Sequence, residues 1–222
     1  MIPDLTPIFA RYESLRAEVD SLFARIRQDY PSCVTCKEGC SDCCHALFDL
    51  SLIEAMYINQ AFARSIPYGP QRSAILTRAS ETDRRLTRLK RELYRAEKDG
   101  ESPASVMARA AQIRLRCPLL DEDDRCLCYD FRPITCRIYG IPTAIGGQGH
   151  VCGFSAFEQG QGYPTVQMDK LQGRLEALSH EIAATVKSRF SELHETYVPL
   201  SMALITRYDE VYLGIGPARP ER

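Results

Sequence analysis

Tryptophan is absent from this chain, and so is any long apolar run. Arginines and acids interrupt every hydrophobic stretch well short of the roughly 18 consecutive apolar residues that a membrane span needs, so no membrane partner is expected. A dominant charge is missing too. The 28 Lys and Arg stand against 29 Asp and Glu, and a formal net charge of −1 supplies no global field to draw in a phosphate backbone. Nucleic acid is therefore not expected as a partner. The opening residues, Met1-Ile-Pro-Asp-Leu-Thr-Pro7, show no basic segment followed by an apolar one, hence no visible secretory or transit peptide. The expected location is cytoplasmic, where thiols stay reduced.

Familiar catalytic templates are missing as well. There is no serine nucleophile elbow and no Walker loop, and Gly146-Gly147-Gln-Gly149 neither follows a clear strand nor opens a helix. The carboxylates from Asp121 to Asp124 lie in a turn and read as solvated. No internal repeat or low-complexity tract is visible. Chemistry, if this chain performs any, would have to run through a bound metal.

What the chain does have is ten cysteines in two patches: Cys33, Cys36, Cys40, Cys43 and Cys44, then Cys117, Cys126, Cys128, Cys136 and Cys152. Ten of 222 residues is below the roughly 8–10% of small disulfide scaffolds. In a reducing compartment such clusters hold a metal or do redox work rather than pair. The length suits one domain over 1–222, with a cysteine-cluster metal-binding core at 30–155.

Around that core the pattern is helical. Ile8, Phe9, Tyr12, Leu15, Val19, Leu22, Phe23 and Ile26 recur at steps of three and four, predicting an amphipathic helix over about 6–28 that Pro31 ends. Ser51 with Glu54 forms a capping box for a second helix through about Ile66, stopped by Pro67-Tyr-Gly-Pro70. Residues 72–98 read as a long exposed helical arm whose apolar positions are thin. Its arginines, among them Arg84, Arg85 and Arg88, are interleaved with Glu81, Asp83 and Glu92, so it reads as a solvated, internally paired helix and the natural place for a protein partner. Asp99-Gly100 breaks the arm, and Ser102-Pro103 opens a shorter helix with Val106, Met107, Ala110 and Ile113 on one side. Between Cys117 and Cys152 the prolines and glycines predict turns with little apolar surface to bury, a region for which a metal would provide the missing folding energy. A C-terminal long helix is expected over 168–198, and the stretch from Ser201 to Leu213 fits a short helix or a strand equally well. The expected fold is mainly α, with amphipathic helices around a loop-rich, cysteine-ligated metal core.

The first patch reads Cys33-Val-Thr-Cys36-Lys-Glu-Gly-Cys40-Ser-Asp-Cys43-Cys44-His45. A two-residue gap lets two thiolates reach one metal, and the gap occurs twice, at 33/36 and 40/43. Neighbouring side chains diverge by about 100° on a helix and to opposite faces on a strand, so Cys43 and Cys44 are not expected to share one mononuclear ion. The second patch carries Cys117-Pro-Leu-Leu, then Arg125-Cys126-Leu-Cys128-Tyr129-Asp-Phe-Arg132-Pro133-Ile-Thr-Cys136-Arg137, then His150-Val-Cys152.

Cys40-x2-Cys43-Cys44, Cys117-Pro-x-Leu and Cys126-x-x-Tyr129-x-x-Arg132-Pro133-x-x-Cys136-Arg137 together resemble the zinc- or iron-chelating domain, also called the CxxCxxCC cysteine-cluster family, over roughly residues 36 to 155. The resemblance implies that Cys40, Cys43, Cys44, Cys117, Cys126, Cys136 and Cys152 form the metal-binding set. Cys33, Cys36 and Cys128 are additional thiols: the gap before Cys40 is one residue longer than in the family, and Cys128 replaces an aliphatic residue. Ten potential ligands leave room for one centre or two.

Thiolates suit zinc and iron-sulfur clusters alike. The spacing is not that of a bacterial ferredoxin, which uses C-x2-C-x2-C-x3-C-P. Dispersed cysteines, a vicinal pair and surplus ligands point to an iron-sulfur cluster, taken as [4Fe-4S], in a redox, electron-transfer or metal-handling role. The alternative is a zinc-binding structural or interaction protein. A metal-dependent protein-modifying enzyme is the further alternative, since a flagellin lysine methylase also resembles this family. Cys36-x3-Cys40-x2-Cys43 resembles the radical SAM spacing, but Ser41 stands where that family has an aromatic residue and its strand-helix units are missing. Arg132 and Arg137 flank Cys136 and are expected to offset thiolate charge, with Tyr129 beside them as packing. His45 and His150 are minor ligand candidates. His180 and His194 are expected to be structural or exposed.

Overall fold

The stripe running from Ile8 to Ile26 winds into α1, Thr6–Asp29, and buries Ile8, Tyr12, Leu15, Val19 and Ile26. The computed structural model describes residues 1–158 and 160–216, which contain seven α-helices and five short strands. The chain is thus mainly helical. No helix among the described residues is long and apolar enough to cross a membrane.

After β1, Asp49–Ser51, the capping box opens α2, Leu52–Ser65, with the Ser51 N–H donating to the Glu54 carboxylate at 3.2 Å. This helix is buried nearly all round. Leu52, Ile53, Met56 and Tyr57 belong to one apolar cluster with α1, and Ala55, Ile58 and Phe62 belong to a second. Glu54 is also buried, and its other oxygen accepts from the Ile134 N–H at 3.0 Å, tying α2 to a segment 80 residues away.

Burial raises the Glu54 pKa above the usual carboxylate value, against the pull of its hydrogen bonds. A raised folded-state pKa contributes stability that is complete below the ordinary carboxylate range and disappears as pH climbs through the folded value. As pH climbs from the ordinary carboxylate range toward the raised folded value, the denaturant midpoint of Glu54→Gln should therefore gain on that of the parent; two curves that stay parallel would refute the assignment.

The charged segment becomes α3, Pro70–Lys98, but it is not wholly an exposed arm. Ile75, Ala79 and Leu86 are buried, because steps of four and seven make a narrow stripe on which the last helix packs. Charge occupies the rest of the surface, which hides the stripe in a composition reading. Beyond Leu86 the helix is open, with Lys90 paired to Asp49 at 2.8 Å and Tyr94 exposed. α4, Pro103–Gln112, starts at a Ser102 cap and folds back beside α3 with no residue fully buried.

The stretch from Cys117 to Cys152 is turn-rich as expected, but it is not coreless. Leu119 joins the second cluster and Ile134, Ile138 and Ile141 join the first, each 1% exposed. At about 1.5–3 kcal/mol per buried aliphatic side chain, these residues anchor the turns of the region in the two apolar clusters. They escape a local reading because each turn contributes only one or two to cores built by distant helices. α5, Ile134–Ile138, is the short helix here. β2, Thr143–Ile145, and β3, Gln148–His150, form a hairpin closed by Gly146 and Gly147 at φ +55° and +79°, the left-handed pair that a two-residue turn demands. The glycine-rich stretch is a hairpin tip. β4, Val166–Gln167, adds parallel to β2.

α6, Met168–Thr185, stops well before residue 198. Lys187 turns left-handed at φ +50°, Ser188 N–H reaches the Ala183 carbonyl at 3.0 Å and Lys187 N–H the Ala184 carbonyl at 3.1 Å, which is a Schellman stop. Leu193 continues the helical spacing yet sits in a short 3-10 turn, and Val198, out of phase with that stripe, lies in β5, Tyr197–Pro199, which pairs antiparallel with β1. α7, Leu200–Ile205, resolves the next segment as a helix followed by turns.

Candidate metal centre

Backbone hydrogen bonds sew the two cysteine patches together. The 3-10 turn Asp42–His45 carries Cys43 and Cys44, and the Cys44 and His45 carbonyls accept from the N–H groups of Cys117 at 2.7 Å and Leu115 at 3.1 Å. Leu127 N–H to the Leu119 carbonyl at 2.9 Å closes a small hairpin that sets Cys126 and Cys128 beside Cys117. α5 adds Cys136. Cys43, Cys44, Cys117, Cys126, Cys128 and Cys136 thereby wall one narrow cavity of about 60 Å³. Cys128, which the resemblance leaves as an additional thiol, belongs to this wall.

The vicinal pair does not diverge. On the tight 3-10 turn the Cys43 and Cys44 sulfurs lie 4.0 Å apart. Two thiolates on one tetrahedral zinc at 2.3 Å bonds would be about 3.8 Å apart. The pair therefore does not by itself require two metals, and the helix or strand geometry used to separate the sulfurs is not the geometry present.

The remaining four cysteines lie elsewhere. Cys40 is exposed and lines a second, open cavity of about 450 Å³ that shares Cys43, Cys44, Cys126 and Arg132 with the first. Cys152 is buried, its Sγ facing Asp42 at 3.5 Å and accepting from Phe154 N–H at 3.4 Å. Cys36 packs against Gly140 near Cys40 and Cys152. Cys33 leans on the apolar core, where its carbonyl accepts from Ala156 N–H at 2.9 Å. The His45 ring nitrogen already meets the Ser41 carbonyl at 3.0 Å, and His150 is exposed on β3, so neither lines a cavity.

Gly140 is required by this packing, since a Cβ there would fall 2.1 Å from the Cys36 sulfur. Gly140→Ala should cost about 1–3 kcal/mol by overpacking. Adding Cys36→Ala should return most of it, and a denaturation cycle on the four chains checks this, additivity refuting the contact.

Arg132 stacks on Tyr129 at 3.5 Å, walls both cavities and is the cation felt by Cys43, Cys126 and Cys136. Arg137 does not face the sulfurs, contrary to expectation. Its guanidinium is buried on the far side of α5, donating to Asp20 at 2.7 Å, to the Arg132 carbonyl at 2.7 Å and to the Asp130 carbonyl. A buried guanidinium must satisfy its donors, and the carboxylate of α1 outcompetes thiols at that position. Tyr129 is 58% exposed and forms part of the rim of the open cavity.

Burial pushes the thiols of Cys117 and Cys128 up to about 12 and that of Cys36 to about 11, and it raises Cys126 and Cys136 as well. Cys43 alone goes down, to about 7, because Cys44 donates to its sulfur and Arg132 lies near; Cys44 is raised in return. At neutral pH the wall is thus a set of protonated thiols with one at the edge of ionising. A thiophilic cation would displace those protons.

The donor set fits such a cation in chemistry: all ten cysteines are free thiols and Arg132 is poised to balance thiolate charge. It is not a formed coordination sphere, since no group of three or more His, Cys, Asp or Glu among the described residues is arranged to hold an ion. Other supports carried no sequence signal: Asp42 bound by Arg114, Gly140, and the reach of Glu54 to α5. Among known proteins, no family model, no curated protein and no solved structure matches the chain.

Proposed function

We propose that this chain is a metal-binding protein of the cysteine-cluster kind, ligating an iron-sulfur cluster with thiolates from both patches in a redox, electron-transfer or metal-handling role. The reading is carried by one observation, the convergence of six thiols from three separate chain segments on a single cavity beside Arg132. Six donors exceed the four that a cluster needs. The narrow cavity is small for a cubane, but its Cys43, Cys44 and Cys126 also border the open cavity, so a cluster would seat against that shared wall. When bound, it would supply one-electron chemistry. The chain's own part is to exclude water with Leu115, Leu119 and Phe48 and to offset negative charge with Arg132.

Zinc is the second reading, favoured by the 4.0 Å separation of Cys43 and Cys44 and by a cavity of single-ion size. Anaerobic purification tests both. A brown protein with iron and acid-labile sulfide is expected; a colourless one holding only zinc selects the second reading, and one holding neither metal ends both.

A further inference from the structure

We infer that the open cavity is the loading port of the centre, that Cys40 is the first protein thiol an incoming ion meets, and that Lys37 and Arg132 favour ions carried as anionic complexes of a small thiol. This rests on the metal reading of the narrow cavity. The thiols are graded by position: Cys40 lines only the open cavity, Cys43, Cys44 and Cys126 line both, and Cys117, Cys128 and Cys136 line only the narrow one. Cys40 is also the one exposed cysteine of the ten, and Cys128 is buried. An ion captured at Cys40 moves inward by exchanging these sulfurs in that order. Each exchange forms one metal–sulfur bond to the chain as one bond to the carrier, or to a thiol further out, breaks. The arriving thiol releases its proton to water, the departing thiolate takes one up, and no electron moves.

Charge around the port supports an anionic carrier. Arg125 pairs with Glu38 at 3.3 Å and Asp124 with Arg116 at 2.9 Å, which cancels the carboxylates of the rim. Lys37 and Arg132 are left without a carboxylate among the described residues, and Arg132 is held flat on Tyr129. A free divalent cation is repelled by that pair, whereas an ion wrapped in carboxylate-bearing thiols is drawn to it. The rim is two turns bent at left-handed residues, Gly39 at φ +82° and Asp124 at φ +57°. The Arg125–Glu38 pair spanning them is exposed on both sides, so it holds the mouth only weakly.

The test uses the full chain, stripped of metal by a chelator under anaerobic reducing conditions and reloaded with cobalt(II), either free or premixed with glutathione. Uptake is followed by thiolate-to-cobalt absorption. Cys40→Ser should reach the parent's final stoichiometry but on the order of tenfold more slowly from both donors, losing the outermost exchange step. Lys37→Glu, at an exposed turn, should slow loading on the order of tenfold from the glutathione complex and not from free cobalt. Loading of Cys40→Ser at the parent rate overturns the port, and a lowered final stoichiometry overturns it in another way, by making Cys40 a resident ligand. Equal slowing of Lys37→Glu with both donors, or none with either, overturns the choice of carrier. A parent that develops no absorption removes the metal reading itself, an outcome separable from the others because no variant is needed to see it.

Discussion

The variant Cys136→Ser is expected to emerge from anaerobic purification with little or no metal and to unfold at markedly lower denaturant than the loaded parent. Cys136 sits on α5 at the wall of the narrow cavity, and its helix is pinned on both sides by Ile134 and Ile138 in the core. The sulfur is therefore aimed by packing and has no slack with which a neighbour could replace it. Serine keeps the shape, but its hydroxyl is a poor donor for a soft ion. In metal-free protein the exchange should cost only about 1–3 kcal/mol, the price of a buried hydroxyl. In loaded protein the loss should be several times larger, because structural thiolate sites bind with apparent energies of about 10–16 kcal/mol and that energy is folding energy. Comparing the stripped and loaded forms separates the two effects. Retention of a full metal complement by Cys136→Ser would remove Cys136 from the ligand set. His180→Ala is the control: His180 lies exposed on α6 against His194, and its loss should leave metal content unchanged.

Arg137→Ala should cost about 2–4 kcal/mol in a urea titration. The guanidinium makes charge-assisted bonds to the Asp20 carboxylate and to the carbonyls of Arg132 and Asp130. Asp130 would keep one donor, since the Arg16 guanidinium also reaches its carbonyl while bonding the Tyr57 hydroxyl at 2.5 Å. The Arg132 carbonyl has no second side-chain donor among the described residues. Asp20 is half exposed and would rehydrate, which keeps the loss below that of a fully sealed ion pair. Lysine should not restore the wild-type midpoint, because a point charge cannot serve three acceptors set in a fork. Recovery of more than half the loss by Arg137→Lys would show that charge alone matters. Since the Arg132 carbonyl belongs to the segment that aims Arg132 at the sulfurs, Arg137→Ala should also weaken metal affinity about 10–100-fold without changing stoichiometry.

Local rules were enough for α1 and α2, where apolar spacing, Pro7 and the Ser51–Glu54 box act within one or two turns. They failed where the deciding partner is remote. The end of α6 is set by a left-handed lysine rather than a glycine, and Leu193 stays in phase with the helix after the chain has left it. The burial of Ile75, Ala79 and Leu86 depends on a helix more than a hundred residues further on. Patch membership of the cysteines was legible from spacing, but their division into an inner set and an outer set was not, because Cys128 and Cys40 are sorted by the Leu119–Leu127 hairpin and the Gly39 turn. The direction of Arg137 was illegible for the same reason: Asp20 is 117 residues away.

With opposite sides of α2 committed to different apolar clusters, the helix is a party wall between two rooms. Neither room can melt while the other keeps its shape, so unfolding should be one event for both, and the amides of residues 55–62 should be the last to trade their protons for deuterium.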